Sequence, residues 1–236
     1  MDDIMSVNAD EEMFTDDETL FKDANSADRK GMYQVVAERF NIRSALYPGC
    51  GLDISPSLFI PKVVYLDFSP ESSAFFDKRN IILDYIAAQK TYPESCEITF
   101  YATDYFTPPE LPQFDLLVSQ FAGNVGQEMK RFLKPGGVLL VAEGPADFSL
   151  ALYDPDYELL GTVLWEPGRT KFLPGIQGPV YVPYEELDFE EPDFEEPDFE
   201  EPDFEDDDDD DGMQTLLVPL TRNFCFRKKQ ADCEKG

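Results

Sequence analysis

The 236 residues carry 49 acidic side chains, 19 basic ones and no histidine, for a formal charge of -30. Without histidine there is no His-based acid–base catalysis and no Ser-His-Asp or Cys-His nucleophile, and the commonest metal ligand is missing, so hydrolase readings fall away. Cys50, Cys96, Cys225 and Cys233 make no C-x-x-C pair or disulfide framework, and no signal peptide or bilayer-length apolar run occurs. A soluble, cytoplasmic chain with no membrane contact is therefore expected.

Residues 1–28 hold 10 acidic residues against one lysine and read as a loosely ordered arm. Met13, Phe14, Leu20 and Phe21 are its isolated apolar residues, enough to dock a short helix. From 29 to 236 the pattern is that of a single α/β domain. Met32, Val35, Val36 and Phe40 lie near the spacing of one helical face, predicting a helix over 29–40. Strand one is expected at 44–47 and opens onto Gly49-Cys50-Gly51, with Asp53 two places on. Only about ten residues then precede Lys62, including Pro56 and Pro61, room for one or two helical turns. Strand two, 62–67, is a continuous apolar run ending on Asp67, as in strands buried on both faces. Ser69 is placed as N-cap and Pro70 in the first turn of a helix sustained to about Gln89.

Strand three is expected at 98–102 and strand four at 115–118, after a proline-rich loop. A helix over 127–133 is stopped by Lys134-Pro135-Gly136-Gly137, and strand five follows at 138–141. A short helix is expected at 146–153, strand six at 157–165 and strand seven at 224–227. The fold class is thus α/β: a Rossmann-like, doubly wound, mostly parallel sheet with an antiparallel C-terminal edge hairpin. Residues 166–222 become an insertion in that hairpin.

The insertion contains EELDF followed by three copies of EEPDF and then six consecutive aspartates, giving 19 acidic and no basic residues over 185–211. A five-residue period matches neither a helix face nor a strand. Recurrent proline and like-charge repulsion predict a solvated, disordered, polyproline-like loop, its phenylalanines about 15 Å apart at roughly 3.1 Å per residue. Such a repeat could dock a basic protein partner, although a tolerated loop expansion is the simpler account. The rest of the chain holds 20 acidic and 18 basic residues, so nucleic acid is a poor partner. Lys130, Arg131 and Lys134, like the run 227–229, read as solvated faces.

A glycine turn after one strand, with a carboxylate at the tip of the next, is how parallel α/β sheets hold adenosine-containing cofactors. Taken with FDLLVSQ (114–120) and LKPGGVLLV (133–141), this order resembles the class I S-adenosylmethionine-dependent methyltransferases. The resemblance covers about residues 30–165 and the terminal strand. It implies S-adenosylmethionine as cofactor, with Gly49, Cys50 and Gly51 around its methionine part and Asp67 on the ribose. It further implies Phe68 against the adenine, Asp104 near the adenine amino group, and the segment from Ser119 to Asn124 facing the transferable methyl. Methyl transfer from a sulfonium needs alignment more than a base. If the acceptor must lose a proton, Asp104, Tyr105, Glu143 and Asp147 are the candidates. The acceptor, small molecule or protein, is not given by the sequence, and no catalytic residue or metal site is assigned.

Three departures qualify the resemblance. Tyr47 stands where an acid is usual, Asp53 stands at the third glycine, and the first crossover helix is nearly deleted. Either the acid that holds the cofactor ammonium has moved from 47 to 53, or the pocket has decayed into a non-catalytic ligand-sensing or protein-interaction module. A nicotinamide site lacks its third glycine, with Ile54 there. A purely structural turn, with Asp67 capping the next helix, is the remaining alternative.

Overall fold

The computed structural model describes residues 20–21, 27–120, 122–143, 146–166, 169–176 and 222–230. The acidic repeat 185–211 and all of the N-terminal arm except Leu20, Phe21, Ala27 and Asp28 lie outside the described residues. Helix α1 is Ala27–Phe40. Strands β1 (Ser44–Pro48) and β2 (Lys62–Asp67) are separated by a single 3-10 turn, Ser55–Leu58, as the short spacing required. Helices α2 (Pro70–Phe76) and α3 (Arg79–Gln89) lead to β3 (Glu97–Ala102) and β4 (Phe114–Ser119). Helix α4 is Val125–Glu128, β5 is Leu133–Ala142 and α5 is Ala146–Tyr153. Strands β6 (Tyr157–Glu166), β7 (Arg169–Pro174) and β8 (Arg222–Lys228) complete the sheet.

The sheet has eight strands in the order β3-β2-β1-β4-β5-β8-β6-β7. The first five pair in parallel, while β8 is antiparallel to both β5 and β6, and β7 is antiparallel to β6. The α/β expectation therefore holds, with three differences. The antiparallel pairing of strands six and seven exists as β6·β8, but it is internal, and the edge is β7, a strand not expected from the sequence. The helix expected from Ser69 to Gln89 breaks at Asp77 and Lys78, where Lys78 N–H turns back to Phe75 O at 3.0 Å. The helix expected at 127–133 is one turn of α-helix plus a 3-10 turn, because Leu133 pairs with Phe114 in the sheet and Phe132 is buried beside it. The Lys134-Pro135-Gly136-Gly137 stop is instead an irregularity in β5, with Gly136 at φ +83.

Alternating strand residues divide the core in two. Ala45, Tyr47, Val63, Tyr65, Leu116 and Val118 face α1, the 3-10 turn and α2–α3. Leu46, Val64, Leu66, Leu117, Leu139 and Phe224 face α4 and α5. Leu20 and Phe21 dock on the first face, Phe21 stacking on Tyr85 with ring centroids 3.9 Å apart. Covering both faces of a parallel sheet leaves its strand tips as the natural place for a ligand, above all where the order reverses between β1 and β4.

Candidate functional site

At that reversal the loop after β1 is built from two left-handed glycines, Gly49 at φ +62 and Gly51 at φ +55. A side chain is strained at either position. At Gly49 there is also no room, since an added Cβ would lie 2.3 Å from the Cβ of Ala122 in the loop after β4. Gly49 N–H continues the ladder to Leu66 O at 2.8 Å. Gly51 N–H donates to Asp67 Oδ2 at 2.8 Å, and Ser69 N–H donates to Asp67 Oδ1 at 2.8 Å. Ser69 Oγ caps α2 by accepting from Ser72 N–H at 3.1 Å, and Ser72 Oγ donates to Gly51 O at 3.0 Å. The glycine bend and the β2 carboxylate thus meet on one rim.

Between them lies a cavity of about 210 Å³ lined by Gly49, Leu66, Asp67, Phe68, Thr103, Tyr105 and Ala122. Phe68 is 73 % exposed at its mouth. Asp104 is half-buried between two lining residues, its Oδ1 accepting from Phe106 N–H at 2.9 Å. Ser119 is fully buried at the β4 tip, and its Oγ has no hydrogen-bond partner among the described residues. Cys50 is buried, and burial, with Asp67 and Asp53 nearby, pushes its thiol well above the usual range, so it is no thiolate nucleophile.

Asp53 is 1 % exposed and belongs to a buried network. Its Oδ2 accepts from Arg29 Nη1 at 2.6 Å, Tyr47 Oη at 3.3 Å and Tyr33 Oη at 3.4 Å. Its Oδ1 accepts from Ser55 N–H at 2.9 Å and from the Ser55 hydroxyl. Burial opposes the charge on Arg29, but the Asp53 carboxylate beside it raises its pKa above the ordinary value. Burial likewise raises both tyrosines well above theirs, so each remains a donor. Tyr47, standing where an acid was expected, hydrogen-bonds the acid six residues later.

Two of the four groups named for proton removal, Glu143 and Asp147, are engaged elsewhere. Glu143 holds Arg222, with Nε donating to Oε2 at 2.6 Å. Asp147 is fully buried and accepts Gly126 N–H on both oxygens, at 2.9 and 2.7 Å, and burial raises its pKa. Gln120 donates to Asn223 Oδ1 at 2.9 Å. A larger groove, about 430 Å³, is lined by Arg39, Asp115, Lys134 and Arg227. It sits at the opposite end of the parallel strands, where α/β sheets seldom place ligands, so the smaller cavity is the better candidate. Among the described residues no cluster of metal-ligating side chains occurs, and no helix is long and apolar enough to cross a membrane.

Sequence reasoning brought Gly49, Asp67 and Phe68 to one cavity, with Cys50, Gly51 and Asp53 in the loop behind it. The segment from Ser119 to Asn124 supplies Ala122 to the same cavity, while Thr103, Arg29 and Tyr33 were not anticipated. Thr103 adjoins an expected residue and was within reach, whereas Arg29 meets Asp53 from 24 positions away.

The sheet order β3-β2-β1-β4-β5, extended by an antiparallel β8 beside β5, is that of a Rossmann-like, doubly wound domain. The fold is Rossmann-like. The sequence matches no family model and no curated protein. Among solved structures it is similar to N-methyltransferase NodS from Bradyrhizobium japonicum WM9, at 11% identity over 87% of this chain and 99% of that one, with a TM-score of 0.47. The same NodS in complex with S-adenosyl-l-homocysteine is 12% identical over 90% of this chain and 98% of that one, with a TM-score of 0.43. The sugar N-methyltransferase KedS8 from Streptoalloteichus sp ATCC 53650 is 19% identical over 72% of this chain and 69% of that one, with a TM-score of 0.38. Likenesses this distant carry no functional argument.

Proposed function

We propose that this chain is an S-adenosylmethionine-dependent methyltransferase acting on a small-molecule or protein acceptor in the cytoplasm. One observation carries the reading: the cavity at the β1/β4 reversal is lined by both Gly49 of the glycine bend and Asp67, whose carboxylate is hydrogen-bonded to that bend at Gly51 N–H. The residues suit the adenosyl half of the cofactor. A carboxylate has about four lone-pair sites, and Asp67 uses one for each of Gly51 and Ser69, leaving acceptors for two ribose hydroxyls. Phe68 offers an exposed ring at the mouth, and Asp104 lies one residue beyond Thr103 to receive an exocyclic amine.

The cofactor, when bound, supplies a methyl group on a sulfonium, displaced in line by the acceptor. The chain's part is alignment. Tyr105 keeps its proton because burial and the neighbouring acids raise its pKa, so it serves as a donor. With Glu143 and Asp147 committed to internal partners, the acceptor that fits is one already unprotonated at the attacking atom.

The second reading is a non-catalytic ligand-sensing or interaction module on the same fold. Ala122 lies against Gly49, and the cavity is smaller than the roughly 300 Å³ at which ordinary ligand pockets begin, which favours it. The acidic repeat would then dock a basic protein. Thermal unfolding with S-adenosylmethionine separates cofactor binding from its absence, since ligand at 100 times its Kd stabilises the fold by about 2.7 kcal/mol. An unchanged Tm at millimolar ligand rejects the cofactor. If Tm rises, transfer of labelled methyl to fractionated lysate decides between enzyme and sensor.

A further inference from the structure

We infer that the groove carrying Arg39, Lys134 and Arg227 is the docking site for this chain's own acidic repeat, residues 185–211. The inference is independent of the cofactor reading, because the groove and the candidate cavity lie at opposite ends of the parallel strands.

The groove, about 430 Å³, forms where the end of α1 meets the start of β5. Arg39 and Phe40 close α1, Lys134 stands in the irregular start of β5, and Arg227 enters from β8 level with Val138. An added Cβ at Gly137 would lie 2.9 Å from Lys134 O and 3.1 Å from Asp115 O, so the lining there stays bare backbone. Half-buried Phe40 and buried Val138 give the groove an apolar part beside three exposed cations. Of these cations Lys134 is matched, its Nζ 2.7 Å from Asp115 Oδ1, the one carboxylate in the lining. Arg39 lies over the Phe172 ring, 5.3 Å from its centroid. Neither Arg39 nor Arg227 has a carboxylate within ion-pair distance among the described residues. The groove therefore presents two uncompensated positive charges around an apolar lining.

Charge, connectivity and side-chain chemistry select the occupant. Residues 185–211 hold 19 acidic and no basic side chains, and each period sets a phenylalanine among carboxylates, as the groove sets its apolar lining among cations. Strand β7 brings the chain to the groove, since Phe172 packs edge-on against Phe40 with ring centroids 5.4 Å apart. Eight residues separate Ile176, just beyond β7, from Glu185, a reach of up to about 30 Å. Ten residues then separate Asp211 from Arg222, a reach of up to about 36 Å, against about 17 Å along β8 from Arg227 back to Arg222. Both connections therefore span the distance with slack. Exposed ion pairs are individually weak. A tether raises the effective concentration to the order of millimolar, so contacts too weak to hold a separate acidic protein suffice for this segment.

Zero-length carbodiimide cross-linking of the full chain, read by peptide mass spectrometry, tests this. Lys134 and Lys62 make a matched pair near the starts of parallel strands, 46 % and 51 % exposed, each beside one carboxylate, Asp115 and Glu97. In the monomer, Lys134 is expected to join to 185–211 about fivefold more often than Lys62, the scale of two exposed ion pairs. The excess is expected to vanish at about 1 M salt, where charges are screened beyond about 3 Å. Arg39→Glu combined with Arg227→Glu is expected to remove the excess and keep the Lys134–Asp115 link, which reports that the variant is folded. Should that chain not fold, Arg39→Gln with Arg227→Gln carries the test, and a reduced excess supports the inference. Equal yields at the two lysines in wild type, or an excess untouched in the folded variant, overturn the inference. An excess confined to covalent dimers overturns docking within the chain and gives the groove to the repeat of a second copy.

Discussion

Replacing Asp53 by alanine is expected to destabilise the fold more than any other single change near the loop. The substitution removes five hydrogen bonds at once, those from Arg29, Tyr33, Tyr47, Ser55 N–H and the Ser55 hydroxyl. The costs are unequal. Arg29, 32 % exposed, regains water, so its share is small. Tyr33 and Tyr47 are close enough to interact with each other, which leaves one orphaned phenol rather than two. That phenol and the buried Ser55 N–H each lose about 1–3 kcal/mol. The cavity vacated by the carboxylate adds to this, giving about 3–5 kcal/mol in all, a large part of the 5–15 kcal/mol typical of a domain. At about 2–4 °C per kcal/mol, the Tm drops by roughly 10 °C. Urea unfolding at pH 7 followed by circular dichroism measures it. Arg29→Gln belongs in the same series and is expected to cost less, because Asp53 keeps four donors. A cost below about 1 kcal/mol for Asp53→Ala would refute the claim that this carboxylate organises the buried network.

Two further predictions concern the loop and the pH dependence. Gly51→Ala is expected to cost about 1–2 kcal/mol, from the left-handed backbone alone, because an added Cβ there meets nothing within 4 Å. Gly49→Ala is expected to cost more and to abolish binding of methylthioadenosine, since its Cβ collides with Ala122 as well; equal costs at the two sites by urea unfolding would contradict the closeness of the two loops. Asp147 and Asp115 are expected to give stability slopes of opposite sign. Burial raises Asp147 above its ordinary 3.8, so the folded chain holds that proton more tightly and stability falls as pH rises from about 3.8 through the raised value. Burial also opposes charge on Asp115, but hydrogen bonds from Lys134, Ser44 and Arg43 N–H outweigh it and lower its pKa. Its contribution is present above 3.8 and is lost as pH falls through the lowered value. Urea midpoints between pH 2 and 7 should flatten above pH 3.8 in Asp147→Asn and below it in Asp115→Asn. Parallel curves for either variant and wild type contradict the assignment for that residue.

What the sequence made legible follows from how far each signal reaches. The strand ends at Asp67 and near Ser119 were readable because parallel strands buried on both faces are unbroken apolar runs, and their polar ends mark the rim. The N-cap at Ser69 was readable because capping is decided within four residues. Strand β7 was not, because RTKFLP carries two charges and a proline and is at most half-buried, as an edge strand is. The Pro167-Gly168 dipeptide ahead of it was the available turn signal. The helix expected over 127–133 failed for a tertiary reason: Leu133 is claimed by Phe114 across the sheet, a contact no local window contains.

The same distinction explains why half of the candidate site was visible and half was not. The cavity rim rests on backbone: two positive-φ glycines and a strand tip, which leave marks in consecutive residues. The network behind it rests on side chains brought together by packing. An aspartate in a glycine loop is conspicuous, yet its meaning depends on Arg29 and Tyr33, one turn apart on α1 and brought to it because α1 packs on the 3-10 turn, β6 and β7. Tyr47 reads as a lost acid in isolation and as a partner of Asp53 in the fold. A carboxylate six residues beyond the usual position is placed by side chains rather than by the loop itself, and here Arg29 and the two phenols fix Asp53 within the buried network.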